Sequence, residues 1–191
     1  MSNLKIYKVI LVLIISLLLF NNINAKERNK ELDSLFTQLK TDDYIIASKT
    51  EKKIWKIWST HPSNDRKGFR LTDMLAQGDL LITKKDFNKA IDIFSLIISI
   101  DSNWAEAWNK RATVLYLSGR YEDSIKDIEK VLQLEPRHFG ALSGFSLNQI
   151  ELKNYKAALK SYQEVQKIYP VMNAPKKMIP MLKDLINGQK I

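Results

Sequence analysis

The sequence predicts an all-α fold, a solenoid of three stacked helix pairs with a helical segment before it and a capping helix after it. Three observations lead there. Small, aromatic and bulky residues recur every 34 positions, without a gap, from Leu71 to Met172. Within each unit, apolar residues return at spacings of three and four, as in Ile91, Phe94 and Ile98, which marks one buried helix face. Turn-forming clusters such as Ser118-Gly119-Arg120 and Lys153-Asn154 separate the helical periods.

In chain order, the first element is an address. Lys5 and Lys8 precede an apolar run from Val9 to Phe20, then Asn21 to Ala25 and the charged Lys26-Glu27-Arg28. A positive start, a short apolar core and a small residue at the cut describe a secretory signal over residues 1–25. The run is shorter than the roughly 20 apolar residues a spanning helix needs, so cleavage after Ala25 and an exported, periplasmic chain are expected. An uncleaved signal anchor is the alternative.

The segment 26–70 reads as two helices, Asp33–Lys40 and Tyr44–Ser59, joined to the repeats by the polar stretch His61–Gly68, the expected hinge. Trp55 and Trp58 are expected to pack as core against the first repeat. The alternative reading makes them an exposed aromatic patch, together with Arg137 and His138.

The repeats are 71–104, 105–138 and 139–172. Gly78, Ala112 and Ser146 share a column, all small, as do Ala90, Ser124 and Ala158. Phe87, Tyr121 and Tyr155 share another, all aromatic, and Pro136 and Pro170 a third, ending second helices. Helical periods fall at about 70–83 and 87–100, 104–117 and 121–134, 138–151 and 155–168. The small columns let paired helices approach closely. This pattern resembles the tetratricopeptide (TPR) repeat: Trp108, Arg111-Ala112, Leu115, Ser124, Ile128 and Pro136 follow it in the middle repeat. The layout is also similar to small exported TPR proteins of proteobacteria. The resemblance implies a right-handed α-solenoid whose first helices line a concave groove. A capping helix is expected over 173–191, with Met178, Met181, Leu182 and Leu185 on its buried side and Pro180 kinking it.

The chain's chemistry is sparse. Zero cysteines exclude disulfides and thiol nucleophiles, and His61 and His138 are too few for a histidine-rich metal site. Phosphate-loop, nucleophile-elbow and zinc-helix motifs are absent from the sequence. No cofactor, metal or catalytic residue is expected. The net charge of +9 is spread unevenly: residues 26–70 carry 11 basic and 7 acidic groups, 71–138 carry 9 and 11, and 139–191 carry 8 and 3. A nucleic-acid face would want one continuous basic stripe, so no nucleic-acid partner is expected. Arg111 replaces an apolar residue of the TPR pattern and is expected to pair with Asp79 or Asp127, or else to mark a ligand carboxylate.

By the geometry the resemblance implies, the groove is lined by Leu75, Asp79, Ile82 and Thr83, then Asn109, Lys110, Thr113 and Tyr116, then Ser143, Leu147 and Ile150. Some TPR proteins grip a C-terminal carboxylate with Lys and Asn at set groove columns. Leu75, Asp79, Gly140 and Gly144 stand in four of those columns, with Lys110 the one basic residue, so that clamp is not expected. The expected function is non-catalytic binding of a peptide or partner helix in the groove. The alternatives are a homo-oligomeric scaffold or a signal-anchored membrane-associated assembly factor.

Overall fold

The computed structural model describes residue 7 and residues 26–188. The expected leader, with its cut after Ala25, otherwise lies outside the described residues. Helix α1 covers 26–39, and the chain continues through α2 (Tyr44–Ser59), α3 (Arg66–Thr83), α4 (Phe87–Ile100), α5 (Ala105–Leu117), α6 (Tyr121–Leu134), α7 (Phe139–Glu151), α8 (Tyr155–Ile168) and α9 (Asn173–Gly188). Among the described residues there is no strand. The predicted helices sit within a residue or two of their places, except that α1 already runs from Lys26 and α3 begins at Arg66. Asp65 gives α3 its early start by accepting from the Gly68 amide at 2.7 Å.

Three antiparallel pairs, α3 with α4, α5 with α6 and α7 with α8, stack in sequence. Each pair turns in the same way. In the first, the Asp86 amide donates to Leu81 O and the Lys85 amide to Ile82 O, both at 2.9 Å. The second repeats this with Arg120 to Leu115 and Gly119 to Tyr116, the third with Asn154 to Gln149 and Lys153 to Ile150. Such a Schellman turn needs a left-handed residue, and Lys85, Gly119 and Lys153, one column, have φ of 59°, 75° and 59°. The small columns sit where the pairs cross. Ala90, Ser124 and Ala158 are fully buried, and a Cβ on Gly78 would come within 2.4 Å of the Phe94 ring. Helix α9 lies on α8 through Ile179 and Leu182 and runs through Pro180. Met181 and Leu185 instead face solvent, because the buried stripe follows Pro175, Ile179 and Leu182.

The N-terminal hairpin corrects the expected packing. Helices α1 and α2 do not cap the first repeat; they lie along one side of the stack, over the junctions where one pair hands over to the next. Leu32, Leu35, Phe36, Leu39, Ile54 and Trp58 share a core with Phe139, Val165, Tyr169 and Val171 of the third repeat. The expected hinge is fastened instead. His61 is buried, its Nε2 2.9 Å from Asp101 Oδ2 and its Nδ1 accepting from the Ser63 amide at 3.1 Å. Gly68 passes so close that a Cβ there would lie 1.9 Å from Ser63 O.

Candidate functional site

Helices α5 and α7 run side by side on the inner surface, with α6 behind them. Between them opens a cleft of about 180 Å³ lined by Asn109, Thr113 and Tyr116 on α5 and by Ser143, Leu147 and Asn148 on α7. Ala112, Gly140 and Gly144 keep the walls low, and Ser124 and Ile128 of α6 form the floor. Five of the expected groove residues, Asn109, Thr113, Tyr116, Ser143 and Leu147, therefore meet at one place. The hydroxyl donors of Thr113 and Ser143 are spent along their own helices: Thr113 donates to Asn109 O at 2.9 Å and Ser143 to Phe139 O at 2.8 Å. That leaves oxygen lone pairs toward the cleft. The Tyr116 ring leans on Tyr121 at 5.7 Å, and burial together with the nearby Glu151 carboxylate holds its phenol above the usual range.

The other expected groove residues lie elsewhere. Leu75 is core, 2% exposed, because its side chain turns under α3 toward α4. Ile82 packs half-buried against that same cluster, and Ile150 joins the α8–α9 core. Thr83 is exposed and bonds back to Asp79 O at 3.1 Å. Lys110 reaches Asp79 at 3.0 Å and Glu106 at 3.7 Å, so the groove's one cation is neutralised from both sides. Arg111 takes the internal alternative. It grips Asp127 with Nε and Nη2 at 2.7 and 2.8 Å, donates to Ser95 at 3.0 Å and lies 5.0 Å over Trp108.

Trp55, Trp58, Arg137 and His138 do converge, but as an internal joint rather than an exposed patch. Trp58 is 4% exposed and stacks on the fully buried His138 at 3.9 Å. The His138 ring caps α7, Nδ1 accepting from the Ala141 amide at 3.0 Å. Nε2 therefore carries the proton and donates to Glu106 Oε2 at 3.1 Å. The Trp104 indole donates to Trp58 O at 2.9 Å and stands edge-on to His61 at 5.1 Å. Arg137 is drawn to Glu135 at 2.9 Å and Asp33 at 2.6 Å, over the Phe36 ring. Trp55 touches Gly140 so closely that a Cβ there would come within 2.6 Å of the indole. The hairpin thus closes one end of the cleft, since Gly140 is also a cleft residue.

Two residues escaped the sequence reading. Glu106, buried to 1%, ties His138, Asn109 and Lys110 together. Its column otherwise holds Thr72 and Gly140, so a carboxylate there is the missed signal. Asn148 is fully buried in a column shared with Leu80 and Val114. Its Nδ2 donates to Ser124 Oγ at 3.0 Å and Gly144 O at 2.9 Å, while its Oδ1 has no partner among the described residues.

Comparison with known proteins agrees with this architecture. The family model described as tetratricopeptide repeat matches residues 105–138, the middle pair. A TPR repeat-containing protein of Rhizobium etli is 32% identical over 176 residues, covering 88% of this chain and 84% of that protein. A heat-shock cognate co-chaperone of Aspergillus fumigatus is 25% identical, over 62% of this chain and 33% of its own length. Among solved structures, the Sgt2 TPR domain from Aspergillus fumigatus superposes with a TM-score of 0.60 at 22% identity, over 63% of this chain and 82% of that one. The first TPR of Spaghetti (RPAP3) bound to an HSP90 peptide gives 0.60 at 14% identity, over 61% and 93%. The 34-residue repeat and the Rhizobium relative, matched over most of both chains, together establish that this chain belongs to the tetratricopeptide repeat proteins.

Proposed function

We propose that this protein is a non-catalytic binding module that holds a peptide segment or partner helix in the α5–α7 cleft. One observation carries the reading: Thr113, Tyr116, Ser143 and Leu147 surround an open hollow of about 180 Å³ whose walls are kept low by Gly140 and Gly144. In a helix interior each glycine costs roughly 1 kcal/mol relative to alanine. The packing of Trp55 accounts for Gly140, whereas a Cβ on Gly144 would meet only Ile128 Cδ1 at an ordinary 3.5 Å. Gly144 is thus not demanded by internal packing, and what it keeps open is the cleft.

Several structural neighbours are TPR domains solved with chaperone peptides, including the Spaghetti complex with SRMEEVD and an RPAP3 domain with SGPTIEEVD. This chain departs from ligands of that acidic kind. Its groove cation is paired with Asp79 and Glu106, and the cleft offers hydroxyl oxygens and apolar surface. The occupant is therefore a neutral or apolar stretch with amide donors, anchored on Tyr116 and Leu147.

Panning a displayed library of random peptides against the full chain supplies the probe. Tyr116→Ala should weaken the selected peptides about tenfold, near 1–2 kcal/mol. Gly144→Leu should abolish binding while leaving the helical content intact, and Lys126→Ala, on the outer face of α6, should change nothing. Peptides that bind the Gly144→Leu variant as well as the parent place the site elsewhere. The setting proposed for this binding is the periplasm, on the strength of the Lys5–Ala25 pattern. N-terminal sequencing of the chain from its native cell tests that, with a start at Lys26 expected and a membrane-held start at Met1 contradicting it.

A further inference from the structure

Among the described residues the stack is closed at one end only. At the far end α9 covers the last pair. At the near end nothing among the described residues covers the leading face of α3, because the hairpin that could have done so folds along the side to the third repeat. The columns show what that face is built for. Val114 and Asn148, in one column, are fully buried between repeats, and so are Ala107 and Ala141 in another. Val114 shares its cluster with Ile97 and Ile98 of α4, and Ala141 shares its cluster with Ile128 and Val131 of α6, each the second helix of the preceding pair. The α3 members of these columns are Leu80, 61% exposed, and Asp73, also exposed. Phe69, 62% exposed, stands on the extra turn by which α3 exceeds α5 and α7.

We infer that this face of α3 pairs with the same face of a second copy of this chain, making a two-fold dimer. The spacing is self-complementary. Phe69 and Leu80 lie 11 residues apart, about 16.5 Å along a helix at 1.5 Å per residue. Two α3 helices laid antiparallel about a point between Met74 and Leu75 set Phe69 against the partner's Leu80, and Leu80 against the partner's Phe69. The same axis sets exposed Asp65 beside the partner's Lys84 at both ends, and Asp73 beside the partner's Ala76 near the centre. Neither Asp65 nor Lys84 has an ion-pair partner among the described residues. Phe69 and Leu80 thus meet apolar partners and Asp65 meets an opposite charge about one axis, while the two Asp73 carboxylates come near each other at its centre and keep the association weak. This reading does not depend on the cleft.

One helix pair is a small interface, so the association is weak, in the micromolar range. Sedimentation of the full chain across about 5 to 500 µM should show monomer passing to dimer and no further. Leu80→Glu should leave a monomer throughout with unchanged helical signal, because that side chain contributes little to the fold. Leu185→Glu, on the exposed side of α9, should dimerise like the parent. Since the chain has no cysteine, Asp73→Cys combined with Ala76→Cys reads the axis directly. Mild oxidation should trap a closed dimer. A chain that stays monomeric at the top concentration overturns the proposal, as does a dimer that survives Leu80→Glu. A ladder of higher oligomers on oxidation overturns it as well.

Discussion

His138→Ala should be among the most damaging single substitutions, and its cost can be assembled from the joint it occupies. The ring caps α7, and losing a cap costs about 1 kcal/mol. The Ala141 amide would then be a buried donor without an acceptor, worth about 1–3 kcal/mol. Glu106, 1% exposed, would keep only Asn109 at 3.2 Å and Lys110 at 3.7 Å. Losing a hydrogen bond to a buried charged group costs about 1.5–3 kcal/mol, and here the remaining contacts share the charge. Trp58 would face a void where it now stacks at 3.9 Å. These effects act on one network and do not simply add, so the expected total is about 3–5 kcal/mol. For a chain of this size that is a fall in Tm of roughly 6–20 °C. His138→Asn isolates the cap, because asparagine can accept from Ala141 but reaches neither Trp58 nor Glu106. It should recover about 1 kcal/mol relative to alanine. Urea and thermal unfolding followed by far-ultraviolet circular dichroism measure both. An alanine variant within 1 kcal/mol of the parent would refute the joint as the tie between hairpin and repeats.

Ala158→Trp or Ala90→Trp should unfold or loosen the stack, exceeding the usual 1–3 kcal/mol of overpacking, since both sites are fully buried at a helix crossing. An unchanged melting temperature would break the repeat register. At high pH, two phenols resist ionisation: burial pushes Tyr162 up to about 12, and burial with the bond to Glu51 also raises Tyr169. The unfolded phenol titrates near 10, so their contribution to stability is whole below that pH and is lost as pH climbs through the folded values. Absorbance at the phenolate band should show these two ionising together with unfolding, and Tyr169→Phe should shift the alkaline midpoint. A midpoint untouched by that change would contradict the assignment.

The sequence revealed the repeats because their helices obey local rules. Apolar spacing and small columns located α3 to α8, and alignment exposed the turn column even where Lys85 and Lys153 hide the left-handed residue that Gly119 advertises. The hairpin's address was not legible. Leu32, Phe36, Ile54 and Trp58 form a good apolar face, but an apolar face does not name its partner, and the nearest repeat in sequence was the natural guess. The contacts that decide the matter join residues far apart in sequence, such as Asp33 with Arg137 and Glu51 with Tyr169. Groove residues were legible by column and only partly by direction. Leu75 turned under α3, and Ile82 and Ile150 turned into neighbouring cores, because an apolar side chain at the edge of a stripe follows the larger buried surface.

The hairpin changes what the repeat surface can hold. In an open stack the first helices present one continuous groove from end to end. Here Trp55 fills the start of α7 at Gly140, and Glu106, at the matching place on α5, is buried against His138. Only the later turns of α5 and α7 stay open, and these carry Thr113, Tyr116, Ser143 and Leu147. An extended peptide running along the whole superhelix would collide with the indole, whereas a short segment crossing α5 and α7 would not. Gly140 and Gly144 therefore differ in role: one makes room for the protein's own tryptophan, the other leaves the cleft open. Gly140→Ala should accordingly strain the fold at the 2.6 Å contact with Trp55, and pairing it with Trp55→Phe should recover much of the loss. Gly144→Ala should be tolerated or slightly stabilising, by up to about 1 kcal/mol, through the better helix propensity of alanine. Equal destabilisation by both would mean that the cleft is merely part of the core.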